Sequence, residues 1–228
     1  MDELEGIISE IKGFLLLQSE LGAREYPKEV ELALPRGARS LKELEQEALS
    51  CRRCRLWETR NKVVFGAGNP HAGLMLVGEA PGREEDRQGL PFVGRAGVLL
   101  TKILKSIHFE REDVFIANVL KCRPPENRDP LPDEVKACEP FLVEQIAAIK
   151  PKIICALGAH AARTLLNLGP SKSIGSLRGA VHDYHGVPLV ATYHPAYLLR
   201  SPDKKRDTWE DVKFLRRHYE SLLDREGR

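Results

Sequence analysis

Four of the five cysteines are spaced as a metal-binding set. Cys51 and Cys54 form a C-x2-C pair, a spacing that lets two thiolates reach one metal from a single turn. Cys122 and Cys138 lie far along the chain, with fifteen residues between them. Joined to the first pair, they would staple the N-terminal segment to the rest of the protein. Four thiolates suit a zinc ion and an iron–sulfur cluster alike, and spacing does not choose between the two. A redox dithiol is the rival reading of the pair, but no thioredoxin-like pattern surrounds it. Cys155 lies inside an apolar run and reads as an inert core residue.

Other polar residues stand where apolar runs end, namely Glu79, Asn118 and His194. The segment GEAPGREEDRQGLPFVGRAG (78–97) has Gly and Pro residues that fix a tight backbone. It lacks GxGxxG and any Walker-type Lys-Ser or Lys-Thr pair, which argues against nucleotide phosphate binding. The acids Glu84, Glu85 and Asp86 would repel a phosphate, and a solvated acidic loop is the plain alternative. Phe92 argues against that alternative, being an aromatic in a Gly/Pro-flanked loop. In HPAYLLR (194–200), Pro195 stiffens a loop, and an exposed Leu198–Leu199 pair implies a partner.

The elements that must carry these residues follow from periodicity. GLMLVGEA (73–80), VFIANVLK (114–121), KIICALG (152–158) and VPLVATY (187–193) are nearly continuous apolar runs, as expected of strands buried on both faces. Helical spacing falls between them, over roughly 94–108, 132–149 and 159–168, and again after 207. Pro132, Asp133 and Glu134 make a good helix opening. The alternation predicts an α/β fold, a three-layer αβα sandwich around a central, mainly parallel four-stranded sheet. In such sheets ligands bind at the carboxyl edge, where Glu79, Asn118 and His194 stand. Upstream, Ser40 and Glu43 form a capping box for a helix carrying Leu41, Leu44 and Leu49. Residues 2–21 have near-helical apolar spacing, and 22–39 read as a linker. The expected organisation is therefore an extension over 1–39 and one domain over 40–222.

Composition narrows the class. The chain has 228 residues, 42% hydrophobic and 30% charged, with a formal charge of +2. No apolar run reaches the ~20 residues of a membrane span. The start is acidic and unlike a secretory signal, so a cytoplasmic monomer with no membrane contact is expected. Five cysteines in such a chain suggest metal chemistry rather than disulfides. Near-neutral charge means that nucleic-acid contact would need a local basic face. Arg52, Arg53, Arg55, Arg60 and Lys62 offer one candidate, and Arg200, Lys204, Lys205 and Arg206 another.

Taken together, GEAPG…ED…G-PFVG-AG, the run ending at Asn118 with KCRPPEN (121–127), and HPAYLLR resemble family 4 of the uracil-DNA glycosylase superfamily. The resemblance spans about residues 41–219. It implies a [4Fe–4S] cluster on Cys51, Cys54, Cys122 and Cys138, and uracil-containing DNA, single- or double-stranded, as substrate. It implies a uracil pocket of Gly78, Glu79, Ala80, Phe92, Asn118 and His194, with Phe92 stacking on the ring and Asn118 reading its edge. His194 would stabilise the departing base, helped by backbone N–H groups of residues 78–82, and Glu79 or Glu85 would position water. Leu198, Leu199 and Arg200 would contact DNA. A branch that attaches covalently to DNA carries His in place of the third cysteine and a basic insertion; Cys122 and the lack of that insertion imply the hydrolytic branch. Rivals from other classes are a zinc-stabilised nucleic-acid-binding module and an α/β nucleotidase or esterase. A GxSxG elbow is absent.

Overall fold

The structure is a computed structural model and describes residues 39–226. The expected helix over 2–21 and nearly all of the linker lie outside the described residues. In chain order come α1 (Leu41–Ser50), a 3-10 turn (Arg55–Glu58), β1 (Ala67–Gly68), β2 (Leu74–Gly78), α2 (Arg83–Gln88) and α3 (Arg95–Ser106). Then follow β3 (Phe115–Asn118), α4 (Pro132–Ile149), β4 (Ile153–Leu157), α5 (Ala159–Leu165) and α6 (Ile174–Leu177). The chain ends with β5 (Val181–Tyr184), β6 (Val187–Thr192), α7 (Pro195–Arg200) and α8 (Lys205–Glu226). Among the described residues, no helix is long and apolar enough to cross a membrane.

All four expected strands form, and they are mutually parallel in the order β3-β2-β4-β6. The sheet nonetheless has six strands, because β1 pairs antiparallel with β3 and β5 antiparallel with β6. The four-stranded expectation is corrected at both edges. β1 is two residues long, and β5 alternates exposed and covered positions, so neither produces an apolar run.

Alternate residues of the central strands face opposite layers. Met75, Val77, Ile154 and Ala156 pack with Leu44 and Ala48 of α1, Phe141 and Leu142 of α4, and Ala161 of α5. Leu74, Leu76, Ile153 and Cys155 pack with Leu100 and Leu104 of α3 and Val212 and Leu215 of α8. The period of two thus feeds two cores, as a sheet covered on both faces requires. The helix openings are those expected. The Ser40 hydroxyl accepts from the Glu43 N–H at 3.3 Å, and the Glu43 carboxylate accepts from the Ser40 N–H at 2.8 Å. α4 opens with Pro132 and with Glu134, which accepts from the Leu131 N–H.

One buried polar node ties the last central strand to α8. The carboxylate of Asp211, 3% exposed, accepts from Arg178 at 2.6 and 3.0 Å and from the Thr192 hydroxyl at 2.6 Å. Thr192 ends β6, two residues before His194, so this node fixes where His194 leaves the sheet. Removing Asp211 would strip Arg178 of its two short bonds and leave it only the longer pairing with Asp207 at 3.5 Å, while the Thr192 hydroxyl loses its acceptor. Asp211→Ala is therefore expected to lose about 3 kcal/mol in urea unfolding; a loss below about 1 kcal/mol would show the node to be dispensable.

Candidate functional site

Strand register builds the site. Gly78 pairs with Asn118 and Leu157 with Thr192, so the four parallel strands end nearly level. Glu79, Asn118, Gly158 and His194 consequently emerge along one edge. A cavity of about 400 Å³ opens there, lined by Glu79, Ala80, Glu85, Phe92, Asn118, His194 and Arg200, with Asn127 and Asp129 opposite. It lies at the carboxyl ends of the strands, where the chain leaves β2 toward β3 on one side and β4 toward β6 on the other.

Asn118 is 2% exposed, and among the described residues no protein group donates to its side-chain oxygen. Such an atom costs ~1–3 kcal/mol, a cost recovered when a donor enters the cavity. Gly78 keeps the space in front of it clear. A Cβ there would collide with the Asn118 oxygen and come within 2.7 Å of the Phe92 ring.

Phe92 is 6% exposed and packs with the α3–α8 core, so the loop does pack its aromatic. Its φ of +52° is the left-handed region, rarely adopted by a bulky residue. Two side chains hold the turn there. The Glu85 carboxylate accepts from the N–H groups of Val93 and Gly94 at 2.9 and 2.8 Å, and Arg111 donates to the carbonyls of Pro91 and Phe92 at 2.8 and 3.1 Å. The neighbouring acids are similarly committed, Glu84 to Arg87 and buried Asp86 to the N–H of Asn61 at 2.9 Å. The acidic stretch is thus the helix α2 rather than a solvated loop. Arg111 carries no sequence signal, because its partners lie about twenty residues away.

The ring of His194 lies 5.5 Å from that of Phe92, tilted by 33°. Its Nδ1 accepts from the Ala196 N–H at 3.1 Å, which leaves Nε2 as the protonated nitrogen. Burial, reinforced by Arg200 and opposed by Glu85, pushes its pKa down to about 4, so the imidazole is neutral at neutral pH. This same hydrogen bond caps α7, correcting the expectation of a loop after His194. Helical spacing also splits the expected leucine pair. Leu198 is 1% exposed and turned inward, whereas Leu199 and Tyr197 are at the surface. Leu198 therefore does not present an apolar side chain to a partner.

Glu79 lies in the cavity wall. Its pKa is raised by burial, which His160 and Arg163 partly offset. Glu79, Asp129 and His160 have ligand atoms within 4.8 Å of one another, and His160 Nε2 is 3.4 Å from Asp129. Neither Asp129 nor His160 was singled out by sequence, and Asn127 only as part of KCRPPEN.

Away from the cavity, Cys51, Cys54, Cys122 and Cys138 line one small pocket beneath α1 and α4. Cys51 caps α1, Cys54 precedes the 3-10 turn, Cys122 follows β3 and Cys138 lies in α4. Burial raises the thiol pKa values of Cys54, Cys122 and Cys138, the last to about 11. Arg60 donates to Cys122 Sγ and the Lys121 N–H to Cys138 Sγ, each at 3.2 Å. Cys155 sits in the core with its thiol pushed up to about 12 by burial, as an inert residue should be.

Comparison with known proteins gives a consistent picture. The family model of the Uracil DNA glycosylase superfamily matches residues 65–213. A type-4 uracil-DNA glycosylase of Archaeoglobus fulgidus is 46% identical over 180 residues, 76% of this chain and 90% of that protein. One from Thermotoga maritima is 45% identical, covering 78% of this chain and 91% of its own. A type-5 uracil-DNA glycosylase from Pyrobaculum aerophilum is only 32% identical, over 64% of this chain.

The double use of Glu85 Oε1 can be tested directly. Glu85→Ala leaves two N–H groups of the Phe92 turn unpaired and should destabilise by about 2 kcal/mol. Amide exchange at Val93 and Gly94 should accelerate selectively; unchanged exchange there would dismiss Glu85 as the anchor.

Proposed function

The chain belongs to the uracil-DNA glycosylase superfamily, among its type-4 members, and we propose that it hydrolyses the N-glycosidic bond of uracil in DNA and leaves an abasic site. The observation that carries this reading is the buried, unpartnered Asn118 oxygen facing a cavity walled by Phe92. DNA binds through its phosphates, which Arg200 at the cavity wall, with Lys205 and Arg206 beyond it, would contact. The uracil nucleotide is rotated out of the stack into the cavity. Exposed Leu199 or Tyr197 on α7 occupies the gap left in the duplex.

Phe92 stacks on the base, a contact worth ~1–3 kcal/mol. The Asn118 oxygen accepts uracil N3–H while its amide donates to O4; cytosine presents these groups in the opposite sense. As the bond breaks, negative charge grows on the base. Neutral His194 donates from Nε2 to that charge, an effect worth on the order of 3 kcal/mol in comparable sites. Of the two carboxylates, Glu85 is already engaged by Val93 and Gly94, which leaves Glu79 to orient water and take its proton.

The cysteines would hold a [4Fe–4S] cluster. Cys51, Cys54, Cys122 and Cys138 line one pocket, and N–H donors from Arg60 and Lys121 reach two of the sulfurs, an arrangement that suits the charge of a thiolate-held cluster. Bound there, the cluster supplies a covalent staple between α1, α4 and the end of β3. The protein acts as a cytoplasmic monomer, with residues 1–39 as an extension outside the glycosylase domain of 40–222.

Oligonucleotides carrying U·G, U·A or single-stranded uracil, treated with alkali after incubation, should be cleaved at uracil. No cleavage at any of them would refute the reading. Asn118→Asp should reduce the preference for uracil over cytosine roughly ten- to a hundred-fold; undiminished preference would remove Asn118 from base reading.

The pH dependence separates the acids and bases. Glu79 must be ionised to take a proton, and its pKa lies above the ordinary carboxylate value. The single-turnover rate should therefore fall as pH drops through that raised pKa, with His194 still neutral until about pH 4. Glu79→Gln should lower the rate and abolish this limb. The same limb persisting in the variant would assign the water to another group.

A further inference from the structure

Lys121 is 2% exposed, a buried cation to which the proposed chemistry gives no task. An ammonium group removed from water is retained only where hydrogen bonds and opposite charge compensate it. Lys121 Nζ donates to the backbone carbonyl of Asn118 at 2.7 Å and to Gln145 Oε1 at 2.6 Å. Gln145 is fully buried and is itself fixed by donating to the Phe65 carbonyl at 2.9 Å. Both acceptors are neutral, and among the described residues no carboxylate pairs with Lys121. The negative charge available to it is that of the cysteine site. Lys121 lines the pocket of Cys51, Cys54, Cys122 and Cys138, and its own N–H donates to Cys138 Sγ at 3.2 Å.

One residue thus touches both sites. Its main chain bonds a cysteine sulfur, and its side chain bonds the carbonyl of Asn118. We propose that Lys121 is a positioning residue that couples the two: it compensates the negative charge of the thiolate-held group and, from that anchor, fixes the backbone that presents the Asn118 amide to the base. The proposal rests on the reading of the cysteines as a cluster site and of Asn118 as the base reader. It deepens that reading by giving the cluster site a consequence for base selection. A staple alone would need no buried cation, because methionine of similar volume would fill the space at lower desolvation cost.

The test uses the full-length holoprotein and the variants Lys121→Met, Lys121→Arg and Asn118→Ala, with the Lys121→Met/Asn118→Ala double variant. Iron content and absorbance near 400 nm establish cluster occupancy, and a redox titration gives the cluster potential. Lys121→Met is expected to shift the potential to more negative values, since a reduced cluster loses a neighbouring positive charge; Lys121→Arg is expected to restore it. In single-turnover assays, Lys121→Met should lower the preference for uracil over cytosine at least tenfold. In the Asn118→Ala background it should lower it no further, because its effect passes through Asn118.

An unchanged potential, or fully additive effects on selectivity, overturns the coupling while leaving the glycosylase reading intact. Wild-type protein that excises uracil but holds no iron overturns the cluster and the coupling with it. Should Lys121→Met fail to retain iron, Gln145→Leu removes the second acceptor of Nζ without touching a cysteine. The same double-variant comparison then decides, non-additivity supporting the coupling and additivity rejecting it.

Discussion

A carboxamide oxygen buried without a partner is an unstable thing to keep in a protein, costing ~1–3 kcal/mol until something donates to it. Asn118 keeps one, and much of the surrounding structure serves to prevent it from finding a partner within the chain. The level register of β2 and β3 puts Gly78 beside it, and the missing side chain of Gly78 leaves room where a Cβ would collide with that oxygen. The backbone behind Asn118 is held by Lys121, so the residue cannot relieve itself by a small rotation of the strand end. The cost is small beside a typical stability of ~5–15 kcal/mol. In the proposed function the N–H of a bound uracil would regain it, which is how the amide would select among bases.

The Phe92 turn shows the same economy of strain. A bulky side chain at positive φ costs ~1–3 kcal/mol and persists only where its surroundings over-determine it. Glu85 grips the two N–H groups after Phe92, and Arg111 grips the two carbonyls before and at it. All four bonds involve an ionised partner, and such bonds are about twice as strong as neutral ones. Gly97 completes the arrangement, since any Cβ there would collide with the Phe92 carbonyl. In the proposed function, a stacking platform fixed in this way would lose little side-chain freedom when a base arrives, so more of the stacking energy would be available for holding the flipped nucleotide.

These constraints explain which parts of the site could be read from sequence. The central strands announced themselves because burial on both faces forces continuous apolar runs, and their ends located Glu79, Asn118 and His194. The edge strands did not, because β1 is two residues long and β5 is half exposed. Leu198 and Leu199 read as one exposed pair only in a loop, and residues 195–200 form a helix. The rotation of about 100° between neighbouring helical residues puts Leu198 in the core and Leu199 at the surface. Glu85 was visible as an acid near the pocket, but its bonds to Val93 and Gly94 depend on how α2 folds back on the loop. Arg111 and His160 were illegible for a similar reason, since each bonds residues from another part of the chain, and Lys121 carried no role in KCRPPEN because its burial against Gln145 depends on how α4 packs.

His194 completes the electrostatic argument. In the proposed reaction charge separates, with cation character on the sugar and anion character on the base. A protonated histidine would attract every phosphate of the DNA before reaction, and attraction that is equal in ground and transition states does not accelerate the chemical step. The structure avoids this by burial and by placing Arg200 on the same side, which together keep the ring neutral. The Ala196 N–H occupies Nδ1 and thereby fixes the proton on Nε2. What remains is an oriented neutral donor, which in the proposed reaction would attract the arriving uracil weakly and the departing anion strongly. Glu79 follows the converse rule, because burial makes it a stronger base than an exposed carboxylate. Burial therefore tunes both groups, each toward its neutral form, and the difference in what they do comes from the proton each one carries.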